Sequence, residues 1–160
     1  MKTLYLLRHG KADRPVGMLT DKERPLLPRG IEEVARMARK MVKKGMRPEV
    51  ILSSPAVRAL ETARTAAGEL GMDPAQIKTS EVIYGGEADE LGLLLRHLQE
   101  DCDSLLLVGH CPGLEALAAT LAHDYTGHQP TGGVIALRLA IAKWEDLKPG
   151  CGSLLKTLFP

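Results

Sequence analysis

The sequence predicts an α/β fold, a three-layer α/β/α arrangement around a mostly parallel central sheet. Two observations carry this expectation. Short unbroken apolar runs, the pattern of strands buried on both faces, alternate along the chain with stretches of helical periodicity. Two of these runs also end alike: Leu4-Tyr5-Leu6-Leu7 leads into Arg8-His9-Gly10, and Leu105-Leu106-Leu107-Val108 leads into Gly109-His110-Cys111-Pro112-Gly113. Open α/β sheets bind ligands just beyond the carboxyl ends of their strands, so both imidazoles are expected at one sheet edge.

The remaining elements follow in order. Lys11 to Pro28 reads as a polar loop, long enough to suggest a functional role, with Asp13-Arg14-Pro15 and Arg24-Pro25 inside it. Pro28 then opens a helix whose apolar stripe is Ile31, Val34, Ala35, Ala38 and Val42, ending at Gly45. Val50-Ile51-Leu52 is a second strand. Ser53-Ser54-Pro55 follows, with Ser54 as N-cap of a helix that runs to Leu70 and stops at Gly71. A short strand is expected from Thr79 to Tyr84, and a third helix from Ala88 to Leu98. The second histidine strand comes next, then a helix opened by Pro112 that carries Leu114, Leu117, Ala118 and Leu121. After the turn at Thr131-Gly132-Gly133, Val134 to Ile141 alternates as a strand, and the tail from Lys143 to Pro160 supplies a last edge strand.

Composition sets the bounds. A chain of 160 residues with 44% apolar residues suits a single domain spanning 1–160, one that buries roughly two thirds of its unfolded surface. A net charge of +1 points to neither nucleic acid nor an anionic membrane. Cys102, Cys111 and Cys151 are odd in number and lack paired metal-ligand spacing, which suits free thiols in a reducing, cytoplasmic setting. No signal-peptide pattern opens the chain, and no apolar run approaches the ~18 residues of a membrane span.

The chemistry begins with His9. A neutral imidazole can attack phosphorus and hold the phosphoryl group covalently, splitting one displacement into two. The transferred group spreads negative charge over its equatorial oxygens, so fixed positive donors around it are what catalysis needs. Arg8 is adjacent, and Gly10, lacking a Cβ, lets backbone come close to a phosphate. Arg58 falls in the first turn of the helix after Ser53-Ser54-Pro55, where free amides already favour an anion and a guanidinium can bind two oxygens. Glu61, one turn later, is placed to orient it. His110, before a proline-opened helix, can donate to the same oxyanion, and Arg24 is a further candidate phosphate contact from the loop.

At these residues the chain resembles the histidine phosphatase superfamily, the phosphoglycerate-mutase-like enzymes. The matching segments are LLRHGKAD from Leu6 to Asp13, SSPAVRALETA from Ser53 to Ala63, and LLVGHCPG from Leu106 to Gly113, in the family's order. The resemblance implies that His9 becomes phosphorylated while Arg8, Arg58 and His110 bind the phosphoryl group, with no metal or organic cofactor. Within the superfamily, the compact length, Arg24-Pro25-Leu26 and the tail from Pro149-Gly150 to Pro160 are similar to the short SixA-type phosphohistidine phosphatases. The implied partner is a phosphorylated histidine-containing domain of a signalling relay. The family often has Pro-Leu-Thr where this chain has Pro25-Leu26-Leu27-Pro28.

A phosphomonoester's leaving alkoxide needs a general acid, whereas the imidazole of a phosphohistidine leaves with less help. Glu81-Val82-Ile83-Tyr84-Gly85 resembles the glutamate-to-Tyr-Gly stretch of the mutases, so Glu81 is the candidate acid, with Glu87 and Asp89 behind it. Two alternatives stay open: a phosphatase of small phosphorylated metabolites that uses Glu81, and a phosphoprotein-binding module without turnover. An ordinary role is assigned to Cys111 as a packing thiol and to His97, His123 and His128, whose spacing matches no metal motif.

Overall fold

The computed structural model describes residues 1–14, 17 and 19–160; of the loop segment Asp13-Arg14-Pro15, Pro15 lies outside the described residues. Six strands, β1 (Lys2–Arg8), β2 (Val50–Ser53), β3 (Lys78–Thr79), β4 (Ser104–Gly109), β5 (Val134–Leu139) and β6 (Gly152–Leu158), form one sheet in the order β3-β2-β4-β1-β5-β6. The first three neighbour pairs in that order are parallel, and β5 and β6 are added antiparallel.

Among the described residues five α-helices cover the sheet: α1 (Pro28–Lys43), α2 (Val57–Leu70), the short α3 (Val82–Gly85), α4 (Ala88–Arg96) and α5 (Gly113–Leu121). Side chains alternate across each strand, so each apolar run feeds two cores. Leu4, Leu6, Leu105 and Leu107 pack towards α4 and α5, with Leu91, Leu95, Leu114 and Leu117. Tyr5, Leu7, Leu106 and Val108 pack towards α1 and α2, with Val34, Met37 and Met41 and a run of alanines from Ala59 to Ala67. The three-layer α/β/α expectation holds.

Register is what positions the site. In the β1–β4 pair Arg8 lies opposite Gly109, and in the β2–β4 pair Ser53 lies opposite Val108. Three parallel strands therefore run out together, and they deliver His9, His110 and Ser54 to one edge. The ladder continues past the strand ends, with the His9 amide donating to the Gly109 carbonyl at 3.0 Å and the Ser54 amide to the Val108 carbonyl at 3.0 Å.

Three local expectations are corrected. Pairing in the predicted strand Thr79 to Tyr84 stops after β3, and Val82–Gly85 is a helical turn. The β-branched Val82-Ile83 pair favours a strand locally, but the turn drives Ile83 into the core, where it sits against the Cβ-free face of Gly109. The stripe of α1 is rotated: Met37 and Met41 are buried, whereas Ile31 is exposed. Ser54 is not the cap residue of α2, which starts at Val57 with Ala56 in that position.

Candidate active site

His9 is nearly buried, at 9% exposure. Its Nδ1 lies 2.7 Å from the carbonyl of Gly10, a group that can only accept, so Nδ1 carries the proton and Nε2 keeps its lone pair. Arg58 Nε approaches that Nε2 at 3.4 Å. Burial pushes the His9 imidazole down to about 4, and the charges of Arg58, Arg8 and Arg24 push the same way. At neutral pH this is an uncharged ring, protonated on Nδ1, whose Nε2 lone pair faces a guanidinium.

His110 stands beside it, the ring centroids 5.1 Å apart and the planes tilted by 52°. Burial, then His9 and Arg58, bring its imidazole down to about 3. Its Nε2 lies 2.7 Å from the Ser54 hydroxyl, and Nδ1 is buried with no partner among the described residues. Arg8 donates from one terminal nitrogen to the Gln129 carbonyl at 2.9 Å, while its buried Nε has no partner among those residues either. Buried polar groups are normally paired, so two unpaired ones at a site are themselves a sign of ligand binding.

Arg58 is buried in the first turn of α2 as expected, but its partner differs from expectation. Its terminal nitrogens donate to the Asp21 backbone carbonyl at 2.7 Å and carboxylate at 3.1 Å. Glu61 instead accepts from the Leu26 amide at 3.2 Å and fastens the loop. The Asp21 carboxylate also accepts from Tyr84 Oη at 2.6 Å and from Arg24 at 2.9 Å. Those bonds, Tyr84 first and Arg24 next, hold its pKa well below the usual carboxylate range. The Tyr84 ring in turn stands edge-on to His110, 5.5 Å between centroids.

Beside them lies a cavity of about 440 Å³ lined by Arg8, Lys11, Arg24, Arg29 and Arg58 with both imidazoles and Thr131; among the described residues no carboxylate lines it. It is built for an anion. Arg24 thus reaches the pocket wall, although it is anchored to Asp21 and to the Asp13 carbonyl. Thr131 lines the pocket as well, where a plain turn was expected.

Two expected roles are placed differently. The Gly10 amide donates to Thr62 Oγ1 at 3.0 Å, and the absent Cβ makes room for Val34 and the Gly30 carbonyl, so Gly10 serves the contact with α1. Glu81 lies outside the cavity lining, exposed, with both carboxylate oxygens on Lys22 Nζ at 2.7 and 2.8 Å. Cys111 is half-buried against Gln129, its thiol pushed up to about 12 by burial, which keeps it from acting as a thiolate. His97 bonds the Leu93 carbonyl and His128 bonds Glu115, and no group of three or more metal-ligating side chains is found among the described residues.

Sequence reasoning missed Asp21, Tyr84, Gln129 and the tether of His110 to Ser54. Asp21 has a faint signal, an acid three residues before Arg24-Pro25-Leu26. Gln129, wholly buried and donating to the Leu6 and Gly133 carbonyls, has none.

Two uncharged imidazoles and converging guanidinium groups at the carboxyl edge of a parallel sheet define an anion-binding α/β protein centred on histidine. Residues 4–84 match the model of the histidine phosphatase superfamily (branch 1), and the chain belongs to that superfamily. An uncharacterized protein of Mycobacterium tuberculosis is 31% identical over 159 residues, covering 93% of this chain and 96% of its own. The 2,3-bisphosphoglycerate-dependent phosphoglycerate mutase of Thermobifida fusca is 38% identical over 82 residues, half of this chain and 33% of the mutase. Among solved structures, a protein of Agrobacterium tumefaciens assigned as the phosphohistidine phosphatase SixA is 28% identical with a TM-score of 0.79, each chain covered to 99%. The protein histidine phosphatase SixA complexed with tungstate superposes with a TM-score of 0.83 at 23% identity, over 99% of this chain and 97% of its own.

Proposed function

We propose that residues 1–160 act as one phosphatase domain that removes phosphate from phosphohistidine in a cytoplasmic signalling-relay protein, through a phosphorylated His9. The observation that carries this reading is the His9 ring itself: Nδ1 tied to the Gly10 carbonyl, and the Nε2 lone pair facing Arg58 Nε at 3.4 Å. In the first step the Nε2 lone pair forms a bond to phosphorus as the bond from phosphorus to the substrate imidazole breaks; the departing nitrogen keeps the electron pair, and the substrate ring, protonated on its other nitrogen, leaves neutral. Arg8, Arg58 and the Nδ1 of His110 hold the phosphoryl oxygens, with Arg24 at the wall. In the second step water attacks phospho-His9, phosphate leaves, and Nε2 recovers its lone pair.

Two observations favour a nitrogen-linked phosphoryl group over a phosphomonoester. Among the described residues the phosphoryl cavity is lined by five basic side chains and no carboxylate, and Glu87 and Asp89 line only the adjoining groove. The candidate acid, Glu81, is neutralised by Lys22 at the surface. A departing imidazole tolerates both facts. Similarity to structures assigned as phosphohistidine phosphatases supports the same reading.

The test is phosphate release by the purified chain and by His9→Ala, given a phosphorylated histidine-relay domain and a panel of phosphomonoesters. Release from the phosphoprotein that His9→Ala abolishes is the expected result. Preferential release from a monoester overturns the substrate assignment, and absence of His9-dependent release from either overturns the enzyme.

A further inference from the structure

The phosphoryl cavity does not stand alone. Across His110 and Cys111, which belong to both walls, it adjoins a groove of about 540 Å³ lined by Gly86, Pro112 and Ala116 together with the carboxylates of Glu87 and Asp89. Across Ala88 and Asp89 that groove continues into a third hollow of about 300 Å³ along the seam between α4 and α5.

Two residues at the far end have no account within the fold. Leu93 is 54% exposed in the wall of the seam. Gly92 beside it sits in mid-helix, where glycine costs about 1 kcal/mol relative to alanine, yet a Cβ built there meets nothing within 4 Å. An unforced glycine next to an exposed leucine is what a surface kept low for close approach looks like. The walls around them combine buried leucines, Leu117 and Leu121 from α5 and Leu147 from the tail, with the charged side chains of Asp89, Arg96 and Lys148.

We propose that this trough is the docking surface for the phosphorylated protein, and that its occupant is an amphipathic helix of that partner laid along the α4–α5 seam with its phosphohistidine reaching His9. The proposal rests on the phosphohistidine reading above. Continuity fixes the occupant: one end of the trough opens on His9, so what fills it is the body of the molecule whose phosphoryl group is there. The form is helical because the free sheet edges, β3 and β6, lie elsewhere, and a seam between two helices offers side-chain ridges but no strand backbone to pair with.

The experiment compares Leu93→Lys and Gly92→Gln with the parent chain on two probes, a histidine-phosphotransfer domain phosphorylated by phosphoramidate, and free phosphohistidine. A Cβ at Gly92 meets nothing within 4 Å and Leu93 is largely exposed, and circular dichroism checks that both variants fold. The expected result is a KM for the phosphoprotein raised at least tenfold, with kcat/KM for free phosphohistidine unchanged. An unchanged KM in both variants overturns the docking surface and leaves the phosphatase reading intact. Hydrolysis of free phosphohistidine but not of the phosphoprotein by the parent chain also overturns it. Release from neither probe overturns the phosphohistidine reading itself.

Discussion

The hydroxyl of Ser54 lies 2.7 Å from Nε2 of His110, and the same oxygen accepts the Ala56 amide at 3.2 Å. Donating its one proton to Nε2 satisfies both groups, and it leaves the proton of His110 on the buried, unpartnered Nδ1. A serine that begins as a helix-capping candidate thus selects the tautomer that can bind a phosphoryl oxygen. Ser54→Ala is expected to lower kcat on the order of tenfold or more with little change in KM. The ¹⁵N shifts of His110 will show Nε2 gaining proton character, a signature that loss of packing alone does not produce.

Asp21 pre-orders the arginines. Its carboxylate holds Arg58, Arg24 and the Tyr84 hydroxyl at once. Asp21→Asn keeps the shape and removes the charge, so Arg58 loses its fixed aim. The expected outcome is a weakened affinity for vanadate, on the order of tenfold, measured by calorimetry, with Tyr84→Phe giving a smaller loss in the same direction.

The pH response follows from two histidines buried uncharged. His9 attacks as the neutral ring, so activity should hold down to the region of pH 4 and fall below it. Stability behaves differently. Both histidines have folded-state values below the ordinary 6.5, so the unfolded chain takes up their protons first as pH drops. Their contribution is complete above about pH 6.5 and is lost progressively towards pH 4 for His9 and pH 3 for His110. Urea denaturation at pH 7.5, 6 and 5 should show a falling midpoint, while His9→Ala flattens the trend.

Glycines separate into those the packing requires and those it does not. A Cβ on Gly30 would lie 2.3 Å from the Lys11 carbonyl, a backbone atom that cannot move aside cheaply. Gly30→Ala is expected to cost about 1–3 kcal/mol in urea unfolding, and to disturb the His9 loop through Lys11. Gly92→Ala, by contrast, should stabilise by about 1 kcal/mol, since its Cβ meets nothing.

Glu81→Gln distinguishes the two phosphatase readings. With Lys22 as its partner at the surface, its loss should leave phosphohistidine hydrolysis within about threefold. A hundredfold loss confined to a phosphomonoester would instead make Glu81 the acid of a metabolite phosphatase.

Much of this was legible along the chain, for a physical reason. Strands buried on both faces must be apolar at every position, so β1, β2 and β4 announce themselves, and a parallel sheet puts the residue after each strand at the ligand-binding edge. His9, His110 and Arg58 could therefore be brought together before any coordinates, as the residues next to strand ends or in the first turn of a helix. The failures share a cause too. The strand read through Val82-Ile83 followed local propensity, which tertiary packing of Ile83 overrode.

The sequence by itself determined the layers, the sheet edge and the residue types gathered there, because burial imposes periodicity and periodicity is written in order along the chain. What only the tertiary structure decided is which groups meet across long separations: Asp21 with Arg58 and Tyr84, Ser54 with His110, Arg8 with Gln129. These are hydrogen bonds between residues 37 to 121 positions apart, made by the packed geometry of loops, and no local pattern of residues foretells them.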